Sequence, residues 1–227
     1  MAMPATVERD VDIYLQAVDR ALPGLIQGLY VTGSIPLRDY QPGVSDIDMV
    51  AICAEKPSDS HLEALGALHR TSNPSIDVVY LNVGDLSRDP RELSPPHSLA
   101  GAFKPDGAFN AHLVTWRQLS TASIAMRGPG LTQDDVWFDA DALRQWNLAN
   151  LDRYWVEWTQ WWRGVEPEER RVRHKDGLQW LVLGVPRLHH TITTLEVISK
   201  TGAAQHALGI SPVSMAPRHL LGESTAR

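Results

Sequence analysis

The segment SDIDMVAIC, residues 45–53, sets two aspartates, Asp46 and Asp48, at the head of an apolar run. Side chains alternate faces along a strand, so residues two apart share a face. Asp46 and Asp48 therefore point the same way and lie close together. Carboxylates held that way repel, and burying them is costly unless a counter-charge or a cation answers them. A chain that folds with this strand must place something positive beside its first turn. The oxygens are hard ligands, which suit Mg²⁺ better than zinc. Mg²⁺ commonly links one or two carboxylates to substrate phosphates.

Two other features bear on the same spot. Gly33-Ser34 follows the apolar run IQGLYVT, and Asp77 stands near the start of SIDVVYLN. Glycine lets the backbone approach a ligand closely, and serine offers a hydroxyl and an N–H. These are suitable donors for a terminal phosphate. If strands 47–53 and 75–82 are neighbours, Asp77 reaches the same pocket as a third carboxylate. An Asp-X-Asp pair alone is common in turns, and Gly-Ser alone says little. The combination reads as a phosphate cradle facing a metal-binding acid pair.

The rest of the chain supplies a frame. Apolar spacing predicts a helix over 7–22, ended by Pro23-Gly24, then strands at 26–32, 47–53 and 75–82. A helix is expected over 60–70 with Ser60 as its cap. Residues 84–112 read as loop with short strands. VTWRQLSTAS suits a helix, RGPG a loop, and 139–163 a long helix with Leu143, Trp146, Leu151, Tyr154, Trp158 and Trp162 on one face. VEPEER reads as a charged turn. Helices follow at 176–195 and 201–208. An N-terminal α/β half with mixed strands thus joins a helical C-terminal half.

Net charge is −6, which argues against a nucleic-acid partner but suits a cationic small molecule. The single cysteine, Cys53, rules out an internal disulfide and reads as a buried thiol. No apolar stretch reaches membrane-span length and the N-terminus has no signal-peptide core, so a cytoplasmic monomer is expected. There are eight tryptophans, most between Trp137 and Trp180. Trp116, Trp146, Trp155, Trp158, Trp162 and Trp180 are expected in the core, although an aromatic face at a cleft could stack on a sugar ring. His189-His190 has no carboxylate or cysteine at ligand spacing and is expected to be structural or part of a cleft rim.

Gly33-Ser34, then Ser45-Asp46-Ile47-Asp48, then Asp77 resembles the active-site signature of the polymerase-beta-like nucleotidyltransferases. The segment WLVLGVPRLHHTITTLEVISKTGAAQHAL, residues 180–208, resembles the helical domain of the aminoglycoside 3''-adenylyltransferases, the streptomycin and spectinomycin resistance enzymes. The features that match are VLGVPRL, a threonine-rich turn and ISKTGAA. The resemblance implies an α+β fold: an N-terminal nucleotidyltransferase mixed β-sheet with flanking helices over 1–112, a helical domain over 113–208, and a tail over 209–227. It implies AMP transfer from ATP to a hydroxyl of an aminoglycoside-like acceptor, with Mg²⁺. By the same resemblance Asp46 and Asp48 hold metal, and Gly33, Ser34, Ser45, Arg187 and Lys200 contact the nucleotide. Arg187 also reads as an internal ion-pair partner. Asp77 acts as base or third metal ligand, and Asp176 contacts the acceptor. The chain departs from the pattern in three places. Asp77 stands where the best-known members carry glutamate. Leu195 stands where a turn glycine is expected. After Leu208 no further helix is legible. A nucleotidyltransferase acting on another acceptor, and a nucleotide- or drug-binding module without turnover, are the alternatives.

Overall fold

The computed structural model describes residues 3–109 and 111–210, excepting the side chains at 167, 170–179 and 181. Helix α1 (Ala5–Ala21) presents Val7, Val11, Tyr14, Leu15 and Val18 inward and stops at Leu22 before Pro23-Gly24. The strands β1 (Ile26–Val31), β2 (Ile47–Cys53) and β3 (Ile76–Asn82) follow, with helix α2 (Asp59–His69) crossing over between β2 and β3. The cap of α2 is Ser58 rather than Ser60. The Ser58 side chain accepts from the His61 N–H, and Ser60 Oγ only meets Ser58 Oγ, at 3.0 Å. Two short strands, β4 (His97–Leu99) and β5 (Ala102–Lys104), occupy the loop-like middle of the chain.

After helix α3 (Leu113–Ala122) the chain returns to the sheet as β6 (Ile124–Arg127), which pairs antiparallel with β1. The sheet therefore takes up one more strand after residue 112. The six strands lie in the order β5-β4-β3-β2-β1-β6. Only β2 and β3 are parallel, as a helical crossover requires, and every other pairing is antiparallel. The ion pair between Arg127 and Asp19, 2.6 Å apart, ties β6 to α1.

The period-2 alternation sorts the strands onto two cores. Ile47, Met49, Ala51, Val78 and Tyr80 pack with α1 and α2 on one face. Val50, Ile52, Val79 and Leu81 pack with Trp116 and Leu119 of α3 on the other. Cys53 is buried as expected. Asp48 continues the row Val50-Ile52, and Asp77 continues the row Val79-Leu81. Both acids thus stand at the open end of the face covered by α3.

Helix α4 (Ala140–Asn150) runs through a wide π turn, Leu151–Trp155, into α5 (Val156–Gly164). The extra residue in that turn rotates the apolar face. Trp155 is buried as expected, whereas Tyr154, expected on the apolar face, is exposed. Helix α6 (Pro167–Thr194) includes Pro167-Glu168-Glu169-Arg170 in its first turn, where the sequence suggests a charged turn. Proline at a first helical position loses no hydrogen bond. Helix α7 (Lys200–Ile210) packs on α6. Trp116 and Trp155 are core, whereas Trp146, Trp158 and Trp162 are only half-buried and Trp180 is 46% exposed, so these four leave the core set expected for them. No described helix is long and apolar enough to cross a membrane.

Candidate functional site

Parallel pairing puts Asp48 and Asp77 at the same level, as Cα partners on adjacent strands. Asp46 lies one pleat earlier on the side that Asp48 faces. The three acids border a cleft of about 540 Å³ between the sheet and α6, α7. A smaller compartment of about 160 Å³ opens beside it, lined by Ser34, Asp39, Ser45, Ser199 and others. Gly33, Asp46, Asp48, Arg187 and Lys200 line both. Eight of the nine residues singled out from sequence thus meet at one place: Gly33, Ser34, Ser45, Asp46, Asp48, Asp77, Arg187 and Lys200. The ninth, Asp176, belongs to α6, and its side chain lies outside the described residues.

Gly33 is in the left-handed region, φ 68°. Glycine is required there twice over, because a Cβ would collide with Asp48 Oδ2 and lie 2.8 Å from Asp48 Cγ. Its carbonyl accepts from Gln118 Nε2 at 2.8 Å, a buried α3 side chain. The next residue, Ser34, holds a buried Oγ with no hydrogen-bond partner among the described residues. A hydroxyl in that condition is rare in native folds and marks a place where a ligand oxygen fits. The Ser45 hydroxyl, by contrast, closes its own turn by accepting from the Gln41 N–H at 3.1 Å.

Asp77 is 5% exposed, and its Oδ1 accepts from the Ala100 N–H at 2.8 Å. Burial pushes its pKa up to about 6, with Asp48 and Asp46 adding to the rise and the Ala100 bond opposing it. A carboxyl so placed takes a proton near neutral pH. Burial draws Arg187 down, while Asp48 and Asp39 hold it up. Its Nε donates to the Ile198 carbonyl at 3.2 Å, which fixes the segment leading to Lys200. Arg187 lines the cleft, where a phosphate contact is expected of it, and its internal bond goes to a backbone carbonyl rather than to the carboxylate that an ion-pair partner implies.

The donor set suits Mg²⁺ held jointly with phosphate oxygens. Asp46 and Asp48 offer hard oxygens to both compartments, and Ser34 Oγ stands nearby. Among the described residues no three His, Cys, Asp or Glu side chains form a ready-made metal centre. The acids are therefore a pair plus one. Asp77 is partly engaged by Ala100, so the expected three-acid metal set is not preassembled.

The large compartment is walled by aromatic rings. Trp146 stacks on His112, with centroids 5.4 Å apart and planes at 22°. Trp155 lies against Gly184 of α6, where a Cβ would strike its ring. Trp180 stands 6.0 Å from Trp155 and donates to Tyr154 Oη at 2.9 Å. His112 caps α3 through Thr115, and its enclosure lowers its pKa to about 4, with Arg187 helping. It is a neutral ring at physiological pH.

Sequence reading missed Asp39, His112, Arg117 and Gln118. Arg117 Nε donates at 2.8 Å to the carbonyl of Leu195, the residue that ends α6 in the left-handed conformation, φ 62°. Leucine occupies the turn where the resemblance led to an expected glycine, and Arg117 bonds its carbonyl. Only Asp39, an acid five residues after Ser34 in the segment IPLRDY, carried a visible sign. The others are reached through long-range packing that no local pattern reports.

No protein-family model matches this sequence, and no curated protein matches it. Among solved structures the fold is similar to that of the spectinomycin adenyltransferase AAD(9) from Enterococcus faecialis, whose crystal structure contains ATP and spectinomycin. The likeness has a TM-score of 0.57 at 14% identity and covers 90% of this chain and 84% of that one. At that identity the likeness establishes the fold alone: an α+β arrangement of a mixed six-stranded sheet with flanking helices and a helical C-terminal part.

Proposed function

We propose that this chain is an Mg²⁺-dependent nucleotidyltransferase that moves AMP from ATP to a hydroxyl of an aminoglycoside-like acceptor and releases pyrophosphate. The observation that carries the reading is the meeting of Asp46, Asp48 and Asp77 in the large aromatic compartment, with Asp46 and Asp48 also facing the small polar one beside it. In this reading the triphosphate occupies the polar compartment. Ser34, Ser45, Lys200 and Arg187 bind its oxygens, and Asp46 and Asp48 hold the cation. Bound there, Mg²⁺ supplies charge stabilisation for an in-line displacement at the α-phosphorus.

The acceptor enters the large compartment, with its hydroxyl directed at Asp77. The raised pKa of Asp77 lets it take the hydroxyl proton as general base. Tryptophan and histidine rings offer a stacking surface for the acceptor's ring, and Asp176 is proposed as a further contact. Most of the rate would come from positioning and fixed charge. The ATP and spectinomycin in the AAD(9) structure support this choice of donor and acceptor class.

The test is pyrophosphate release with ATP, Mg²⁺ and a panel of aminoglycosides. Release with at least one acceptor, lost in Asp48→Ala, supports the enzyme. Nucleotide binding without release across the panel identifies a binding module instead.

A further inference from the structure

Helix α7 starts at the residue that faces the polar compartment, Lys200. The first N–H groups of a helix have no partner inside it and must find one outside. Two partners serve α7. Ser199 Oγ accepts from the Gly202 N–H at 3.0 Å, an ordinary local cap. The other comes from across the chain. The Thr201 N–H donates to Asp39 Oδ2 at 2.9 Å, and the Thr201 hydroxyl donates to Asp39 Oδ1.

Asp39 is itself anchored to the opposite wall. Its N–H donates to the Ser34 carbonyl at 2.9 Å, so its backbone belongs to the turn that carries Gly33 and Ser34. One residue therefore bridges the two sides of the small compartment: the serine turn by its backbone, the first turn of α7 by its carboxylate. Burial would raise the Asp39 carboxyl, but the bonds from Thr201, Ser199 and Lys200 outweigh it and hold the group below its usual range. Asp39 stays ionised at neutral pH and remains an acceptor for both Thr201 donors.

We propose that Asp39 is a positioning residue: it caps α7 from the serine turn and thereby sets the place of Lys200 opposite Ser34. This rests on the reading of the compartment as a triphosphate site and deepens it. Asp39 is not asked to touch the nucleotide. Its charge would repel phosphate, and its carboxylate occupies the helix terminus that would otherwise attract an anion. The two effects have opposite signs, which makes the inference testable. If geometry dominates, removing Asp39 weakens nucleotide binding. If charge dominates, removing it strengthens binding.

The experiment is calorimetric titration of the full chain with ATP and Mg²⁺, for wild type, Asp39→Ala, Asp39→Asn, Lys200→Ala and Asp39→Ala/Lys200→Ala. Asp39→Ala is expected to weaken ATP by about tenfold, the scale of one lost charge-assisted cap. Asp39→Asn, which keeps one acceptor oxygen, is expected to recover part of that. The double variant is expected to be no weaker than Lys200→Ala alone by more than about twofold, because the carboxylate acts through the lysine. Hydrogen exchange without nucleotide is expected to show faster exchange at the first turn of α7 in Asp39→Ala, with the strands unchanged. Unchanged or tighter ATP binding in a folded Asp39→Ala, or full additivity with Lys200→Ala, overturns the positioning role while leaving the site reading intact. A wild type that does not bind ATP overturns both.

Discussion

Asp48 occupies the space that a side chain on Gly33 would need. The left-handed backbone at Gly33 and the aspartate on β2 are a matched pair, since the turn passes so close that only a hydrogen fits. Under the proposed function Gly33→Ala is expected to cut turnover at least about 100-fold by displacing Asp48; independently of it, the strained φ is expected to cost about 1–2 kcal/mol of stability. Turnover assays and urea denaturation check both halves. A variant with full activity would show that Asp48 need not stand where it does.

Asp77 pays for its position. Its folded pKa of about 6 lies above the ordinary 3.8, so the native state binds this proton more tightly than the unfolded chain does. With that sign, its unfavourable contribution is absent below about pH 4, grows as pH rises through 4 to 6, and persists above. Asp77→Asn keeps an oxygen for the Ala100 N–H and removes the charge. In chelator at pH 8 the variant is expected to be more stable by about 1–2 kcal/mol, with the gain shrinking toward zero at pH 4. Melting curves across that range decide. Under the proposed function the same variant loses turnover.

Trp155 fits against α6 only because residue 184 lacks a side chain. Gly184→Ala must push the indole away, and overpacking of this kind costs about 1–3 kcal/mol. The ring is also a wall of the large cleft, so under the proposed function acceptor KM is expected to rise by more than ATP KM. Equal changes in the two would show that Trp155 is core packing alone.

Leu195 ends α6 with φ 62°, a conformation that costs a branched side chain about 1 kcal/mol. Leu195→Gly is expected to stabilise the protein by about 0.5–1 kcal/mol. The gain is read from the denaturation midpoint. A loss would mean that the packing of the half-buried leucine outweighs its strain.

The strands that carry the acids were legible to within a residue, because β2 and β3 are apolar runs interrupted only where chemistry requires it. Helix α1 was equally plain from its spacing. β6 was not, since four residues between a helix and Gly-Pro show no alternation of their own and owe their conformation to β1, about ninety residues earlier. The π turn at Leu151–Trp155 carries no local sign either, and it leaves Tyr154, expected on the apolar face, exposed. At the site, the residues that bear charge were visible and the residues that hold them in place were not. Gln118 reads as an ordinary helical glutamine until the fold brings it to Gly33.

Neighbours on α3, Arg117 and Gln118, grip opposite banks of the cleft: one the end of α6, the other the turn beneath Asp48. The two grips leave α3 from consecutive residues, so one peptide unit joins the cap of α6 to the glycine turn. A substitution that shifts α3 at this point is felt on both banks at once.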